Sequence, residues 1–266
     1  MTLSLDDLTV SPVCVDIHDS VETVARAFQR TEGRQVPVLS EGAPVGIVRR
    51  EDVDDQGTLR GSIWLAWGRA NTARDLVRPA PVIDALERGA AEGALLALLD
   101  HPCVLIRIAD ELFALFTEHD GVRVALERAT LANPALPIAS APPRTIDFDA
   151  TGICAVRRMD WHGIRHLLVL DEGTLIGVVS ERDVAAEGVA SGRELKVGEI
   201  WRERPLIAVP QNASVCEVAL LMLEHHVGCV PLLDGDRRPV AVLTRRDLVR
   251  FAVYGEVERR ATAHAV

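Results

Sequence analysis

Three times in this chain a hydroxyl residue stands three positions ahead of an aspartate, at the end of an apolar run: Thr117 and Asp120, Ser180 and Asp183, Thr244 and Asp247. A fourth aspartate, Asp52, closes the related stretch GIVRRED, where Arg49 takes the place of the hydroxyl. Two kinds of chemistry fit this spacing. In one, the hydroxyl accepts from an orphan N–H at a helix start while the acid favours the positive end of the helix, which makes a cap. In the other, a strand end, a helix N-terminus, a hydroxyl and a carboxylate converge on one spot that suits a phosphate and the paired hydroxyls of a ribose. Apolar strand residues beside that spot offer a slot to a flat base. The residue pattern alone leaves both readings open.

The elements that must position these groups repeat as well. GIVRRED, ALFTEHD, GVVSERD and AVLTRRD end at Asp52, Asp120, Asp183 and Asp247, at intervals of 68, 63 and 64 residues. Ahead of each lies a short apolar run with strand character, QVPVLS, CVLIRI, HLLVLD or CVPLLD, joined to the phrase by a turn as in a hairpin. Ahead of each run is a helical pattern, SVETVARAFQR, AAEGALLALLD, TGICAVRRMDW or SVCEVALLMLEHH. Ser20, Thr151 and Ser214 stand at N-cap positions, Ser214 with Glu217 as a capping box. A short extended piece precedes each helix, so every unit reads strand, helix, strand, strand, helix. The units also pair, because Thr72–Ile83 and Lys196–Val209 are similar lead-ins to the second and fourth. Between the pairs lies the proline-rich NPALPIASAPPR, the best linker in the chain. The expected organisation is a first module over 1–132, a linker over 133–143 and a second module over 144–260.

Composition narrows the function classes. The chain has 266 residues, 48% hydrophobic and 26% charged, which fits a globular protein with a sizeable core. A formal net charge of −10 disfavours a broad nucleic-acid footprint while leaving room for a local cationic pocket. No apolar run approaches a membrane span, and the first residues lack the features of a signal peptide, so the expected compartment is the cytoplasm. The five cysteines form no C-x-x-C pair, and neither a disulfide framework nor a structural zinc site is expected.

The unit of about sixty residues ending in Gly-apolar-apolar-Ser/Thr-x-x-Asp resembles the CBS motif, named after cystathionine β-synthase. Two such motifs form a Bateman module, and this chain resembles two modules in tandem, best over Ile164–Asp183 and Val197–Leu248. The resemblance implies an α+β/αβ fold of small sheets flanked by helices, and clefts that bind adenosine-containing ligands. It implies roles for Thr244 and Asp247, with Ile207 and Val209 as base-slot residues, and for Ser180 and Asp183, with Ile146 beside them. Arg165 and His166 fall where some members place groups facing the phosphates, and Arg182 and Arg246 directly precede two of the aspartates. Thr117 and Asp120 keep the pattern, although Ala114 and bulky Phe116 depart from it. Arg49 departs further, and its pairing with Asp52 would close the first unit. Ligand is therefore expected chiefly in the second module.

The function this implies is a non-enzymatic sensor of an adenine nucleotide (AMP, ADP or ATP) that acts on a regulated partner. The modules are expected to pack as a homodimer or as a disk within one chain. A ligand-free scaffold and a binder of S-adenosylmethionine or NAD are the alternatives. Catalysis has no recognisable motif, neither G-x-S-x-G, Walker loop nor H-E-x-x-H. His225 and His226 read as a solvated helix end rather than metal ligands. Trp64 and Trp67, three apart, suggest core or interface packing.

Overall fold

A computed structural model describes residues 9–10, 13–31, 34–53, 71–109, 112–184, 195–201 and 205–255. Trp64 and Trp67 lie outside the described residues. The chain divides into two compact units between Asp120 and Gly121.

The first unit opens with β1 (Thr9–Val10), β2 (Val15–Asp16), α1 (Val21–Gln29), β3 (Gln35–Ser40) and β4 (Ala43–Arg49), followed by a 3₁₀ turn over Arg50–Asp52. A short helix α2 (Ala73–Leu76) leads into β5 (Val82–Asp84), α3 (Ala90–Ala97), β6 (Cys103–Ala109) and β7 (Leu112–Thr117); α4 (Glu118–Arg128) starts in this unit and continues past the division. The second unit contains β8 (Thr145–Asp147), α5 (Gly152–His162), β9 (His166–Asp171) and β10 (Thr174–Ser180), with residues 181–184 helical. Then come α6 (Val197–Ile200), β11 (Val209–Pro210), α7 (Val215–Glu224), β12 (Cys229–Leu233), β13 (Pro239–Thr244) and α8 (Arg245–Tyr254). The result is a mixed α+β architecture.

Every repeat uses the same pairing rule. Its first strand runs parallel to the second, as a helix crossover requires, and the second pairs antiparallel with the third across a tight turn. Three of the four hairpins carry an extra residue just before the small residue of the phrase: Val45 before Gly46, Ile176 before Gly177 and Val240 before Ala241. Such a bulge sharpens the local twist and re-aims the strand end. In the second repeat the shift falls in the opposite strand, between Arg107 and Ala109.

The helix N-caps read from sequence are present. Ser20, Thr151 and Ser214 each accept from the backbone N–H three residues on, and Glu217 answers Ser214 in a capping box. The two similar lead-ins owe their likeness to a shared task, which is to complete the core of the preceding repeat. Ala73 and Leu76 of α2 are buried with Val24, Phe28, Val36 and Val48. Val197 and Ile200 of α6 are buried with Ile146, Met159, Leu167 and Val179. The backbone hydrogen bonds correspond: Ala73 N–H to Asp19 and Arg74 N–H to Ile17, against Val197 N–H to Ala150 and Gly198 N–H to Phe148.

The proline-rich stretch is docked within the second unit. Its Leu136–Ile138 segment forms a 3₁₀ turn, Ala135 and Ile138 are buried, and Ser140 exchanges two backbone hydrogen bonds with Val242 of β13 at 2.8 and 2.9 Å. β1 makes the corresponding pairing in the first unit, with Thr9 opposite Leu115 and Val10 opposite Ala114 of β7.

Candidate functional site

The four aspartates share a sequence position but not a local environment. In the second, third and fourth repeats the carboxylate closes a box on its own hydroxyl residue. Thr117 N–H and Oγ1–H both donate to Asp120 Oδ2 at 2.8 Å. Ser180 N–H and Oγ–H donate to Asp183 Oδ2 at 2.8 and 2.6 Å, and Asp183 N–H returns to Ser180 Oγ at 3.2 Å. Thr244 N–H and Oγ1–H donate to Asp247 Oδ2 at 2.9 Å. All three are capping interactions.

The first repeat replaces the box with an ion-pair clasp. Arg49 donates through Nε and Nη2 to the two oxygens of Asp52, at 3.2 and 3.1 Å. Arg78, just beyond α2, does the same from the other lead-in, at 3.3 and 3.2 Å. Two side-on guanidiniums thus occupy both carboxylate oxygens, an arrangement that suits the planar fork of arginine. Arg78 is held there by its backbone, which exchanges hydrogen bonds with Ile47 at 2.9 and 2.8 Å. Its carbonyl passes so close to Gly46 that a Cβ would sit 2.2 Å away.

Exposure then separates the four. Asp52, Asp120 and Asp247 are buried, at 3%, 8% and 4%. Asp183 is only partly buried and stands in the wall of an open pocket of about 160 Å³. Ser180, Arg182, Gly177 and Val178 of the third phrase line this pocket with His166 of β9. Trp201, Pro205, Leu206 and Ile207 of the lead-in line it too, as do His226, Val227, Gly228 and Cys229 ahead of β12. Polar and apolar surface meet there.

Of the residues expected from sequence, Ser180, Asp183, His166, Arg182 and Ile207 come together here. Ile207, grouped from sequence with Thr244 and Asp247, lines the pocket with Ser180 and Asp183. Ile146 and Val209 are buried strand residues, at 3% and 7%, and outside this lining. The parallel pairing of β8 and β11 with the middle strands turns these two side chains into the core. Thr244 and Asp247, like Thr117 and Asp120, are engaged in their caps away from this pocket. Arg165 and Arg246 are exposed and outside the lining.

Trp201, His226 and Gly228 were not anticipated. His226 follows the C-cap of α7 in a left-handed conformation (φ 55°), which turns the chain toward the pocket. The unusual backbone of the HHVG stretch is legible only as a glycine soon after a helix.

Charge around the pocket is uneven. His166 is pushed down to about 4, chiefly by desolvation, with Arg165, Arg182 and Arg245 opposing its protonation and Asp183 alone favouring it. One face of the ring meets the pocket, but protein encloses the rest; its Nε2 lies 3.2 Å from where a Cβ on Gly228 would stand. At neutral pH the imidazole is therefore uncharged. Burial raises the Cys229 thiol well above its usual range, with Asp247 adding to the effect, so this sulfur is an inert wall residue.

Small parallel-antiparallel sheets built from a repeated strand, helix, hairpin and capped aspartate define a class of tandem-repeat module. The CBS domain family profile matches residues 5–56, 137–189 and 197–254, more than half of the chain, and the chain belongs to that family. The second repeat falls outside the matched segments yet has the same order of elements and the same pairing rule. Protein MJ1225 of Methanocaldococcus jannaschii is similar in structure, with a TM-score of 0.69 and 18% identity over 90% of this chain and 95% of that one. An uncharacterized conserved protein from Pyrococcus horikoshii gives a TM-score of 0.64 and 19% identity over 92% and 97%. L-aspartate semialdehyde sulfurtransferase of Methanocaldococcus jannaschii is 31% identical over 115 residues. That match takes in 43% of this chain and only 22% of the enzyme's length. Among the described residues, no helix is long and apolar enough to cross a membrane and no cluster of metal-ligating side chains occurs.

Proposed function

We propose that the chain is a non-catalytic sensor of an adenine nucleotide, held in the second unit by the Ser180–Asp183 pocket. The observation that carries this reading is the exposure of Asp183: it is partly exposed and lines a pocket, while Asp52, Asp120 and Asp247 are buried in caps or clasped by arginine. Asp183 would accept from the ribose hydroxyls, with Ile207 and its neighbours against the base and Arg182 and Arg165 toward the phosphates. The first unit, with both oxygens of Asp52 taken, serves as a ligand-independent half of the molecule. The boundary between modules falls in the docked stretch 133–143, and ligand acts on a partner protein in the cytoplasm by shifting a pre-existing equilibrium between conformations.

A second reading, a ligand-free scaffold, draws on the completeness of the three caps. Thermal unfolding of wild type, Asp183→Ala and Asp247→Ala with AMP, ADP, ATP, S-adenosylmethionine and NAD decides between them. Ligand at a hundred times its dissociation constant adds about 2.7 kcal/mol, roughly 5–15 °C in a unit of this size. The expected result is a shift with the adenine nucleotides that Asp183→Ala loses. Asp247→Ala should lower the melting temperature by removing a cap but keep the shift. No shift in wild type free of bound nucleotide would leave the scaffold.

A further inference from the structure

We propose that Trp201 is the base-reading residue of this pocket: its indole takes the flat face of the ligand's heterocycle, so that the site selects a planar aromatic base and not merely a sugar phosphate. The proposal rests on the nucleotide reading above and assigns to one residue the part of the ligand it holds.

Trp201 directly follows α6, whose Val197 and Ile200 are anchored in the core of the third repeat. The indole is seated on Gly177, the first residue of the third phrase. A Cβ there would lie 2.1 Å from the indole Nε1 and 2.7 Å from Cε2, so only glycine admits the ring. Phe148 meets it edge-on, with ring centroids 6.3 Å apart at 75°. The ring is thus fixed by a backbone seat and an aromatic neighbour, yet it remains partly exposed and lines the pocket beside Ser180 and Asp183. An aromatic plane held rigid at the mouth of a polar cleft is preorganised for stacking, since little of its freedom is left to lose on binding.

The first unit shows that the fold itself does not need an aromatic here. Its lead-in places Val77 at the matching position, and the Cγ2 of that valine lies 2.9 Å from a would-be Cβ on Gly46. An aliphatic side chain fills the same seat beside the clasped Asp52. The tryptophan, with its extra ring surface, occurs in the unit whose carboxylate is open. Size points the same way. About 160 Å³ is well short of the roughly 300–1,000 Å³ that engulfs a drug-sized ligand. Such a space accepts a ring system and part of a sugar and leaves phosphates outside, toward the exposed Arg182.

The test measures AMP and ribose 5-phosphate, which lacks the base, by calorimetry on wild type, Trp201→Leu and Trp201→Phe, with Asp183→Ala as the site control. Stacking losses predict that Trp201→Leu weakens AMP about tenfold or more while leaving the weak affinity for ribose 5-phosphate unchanged. Trp201→Phe should stay within about threefold for AMP. Tryptophan emission should change when AMP binds wild type and stay constant when it binds Trp201→Phe; this arm decides the matter even if the leucine variant folds poorly. AMP binding unaffected by Trp201→Leu, or AMP and ribose 5-phosphate weakened equally, would overturn the role of Trp201 while the Asp183 control leaves the pocket reading standing. A wild type that binds no nucleotide overturns both.

Discussion

Asp183 and Asp247 close the same box with the same geometry, and what distinguishes them is the surface above them. Asp247 is covered and Asp183 faces a cleft. The hydroxyl and the acid do not encode this, because GVVSERD and AVLTRRD space them identically. The sequence does reveal that Asp52 is different: an arginine in the hydroxyl position can pair with the acid or reach a phosphate, and it pairs with the acid. The second clasping group, Arg78, is hidden because it comes from 26 residues away. His166 provides a test at this scale. Its folded value of about 4 lies below the 6.5 of an unperturbed imidazole. Above that range it contributes nothing to pH dependence. As pH falls from about 6.5 toward 4, the unfolded chain takes up a proton that the native site refuses, so stability falls. His166→Gln should therefore flatten the decline in melting temperature between about pH 6.5 and 5 relative to wild type. Parallel declines in the two proteins would show that the imidazole titrates normally.

Among the elements, the helices were the most legible, because a cap and an apolar stripe are local. Ser214 caps α7 and is itself 5% exposed, in a reciprocal box with Glu217 at 2.7 to 3.2 Å. Ser214→Ala should lower stability by about 1 kcal/mol, read as a drop in denaturation midpoint at unchanged slope. The lead-ins were visible as similar strings, but their work was not. α2 and α6 each finish the core of the repeat before them, and that long-range contact leaves only a pattern of small and branched residues. Trp201 escaped notice for the same reason, since its meaning depends on a glycine 24 positions earlier. The burial of Ile146 and Val209 was not legible, because an apolar strand residue reads alike whether it faces a slot or a core.

For the whole molecule, the sequence places ligand chiefly in the second module, and the proposed reading narrows this to the third repeat. Asp52 is fully engaged, Asp120 and Asp247 are buried, and Asp183 is open. Calorimetric titration should give close to one AMP per chain; two equivalents would mean that a second carboxylate opens in solution. The periodicity of the aspartates identified all four repeats, including the second, which the family profile does not match. It carried no information on which repeat had kept an accessible acid, because accessibility is set by residues outside the period.

The pairing of β1 with β7, and of Ser140 with Val242 of β13, has a consequence for how these chains behave toward one another. β7 and β13 are the last strands of the second and fourth repeats, and each would otherwise present a row of unmet N–H and C=O groups along its outer side. The segments that precede the first and third repeats lie across those rows. They serve as edge guards as well as connections. A chain nicked within 133–140 would keep the buried residues of its fourth repeat but lose its cover on β13, and the expected fate of such a product is strand-to-strand self-association.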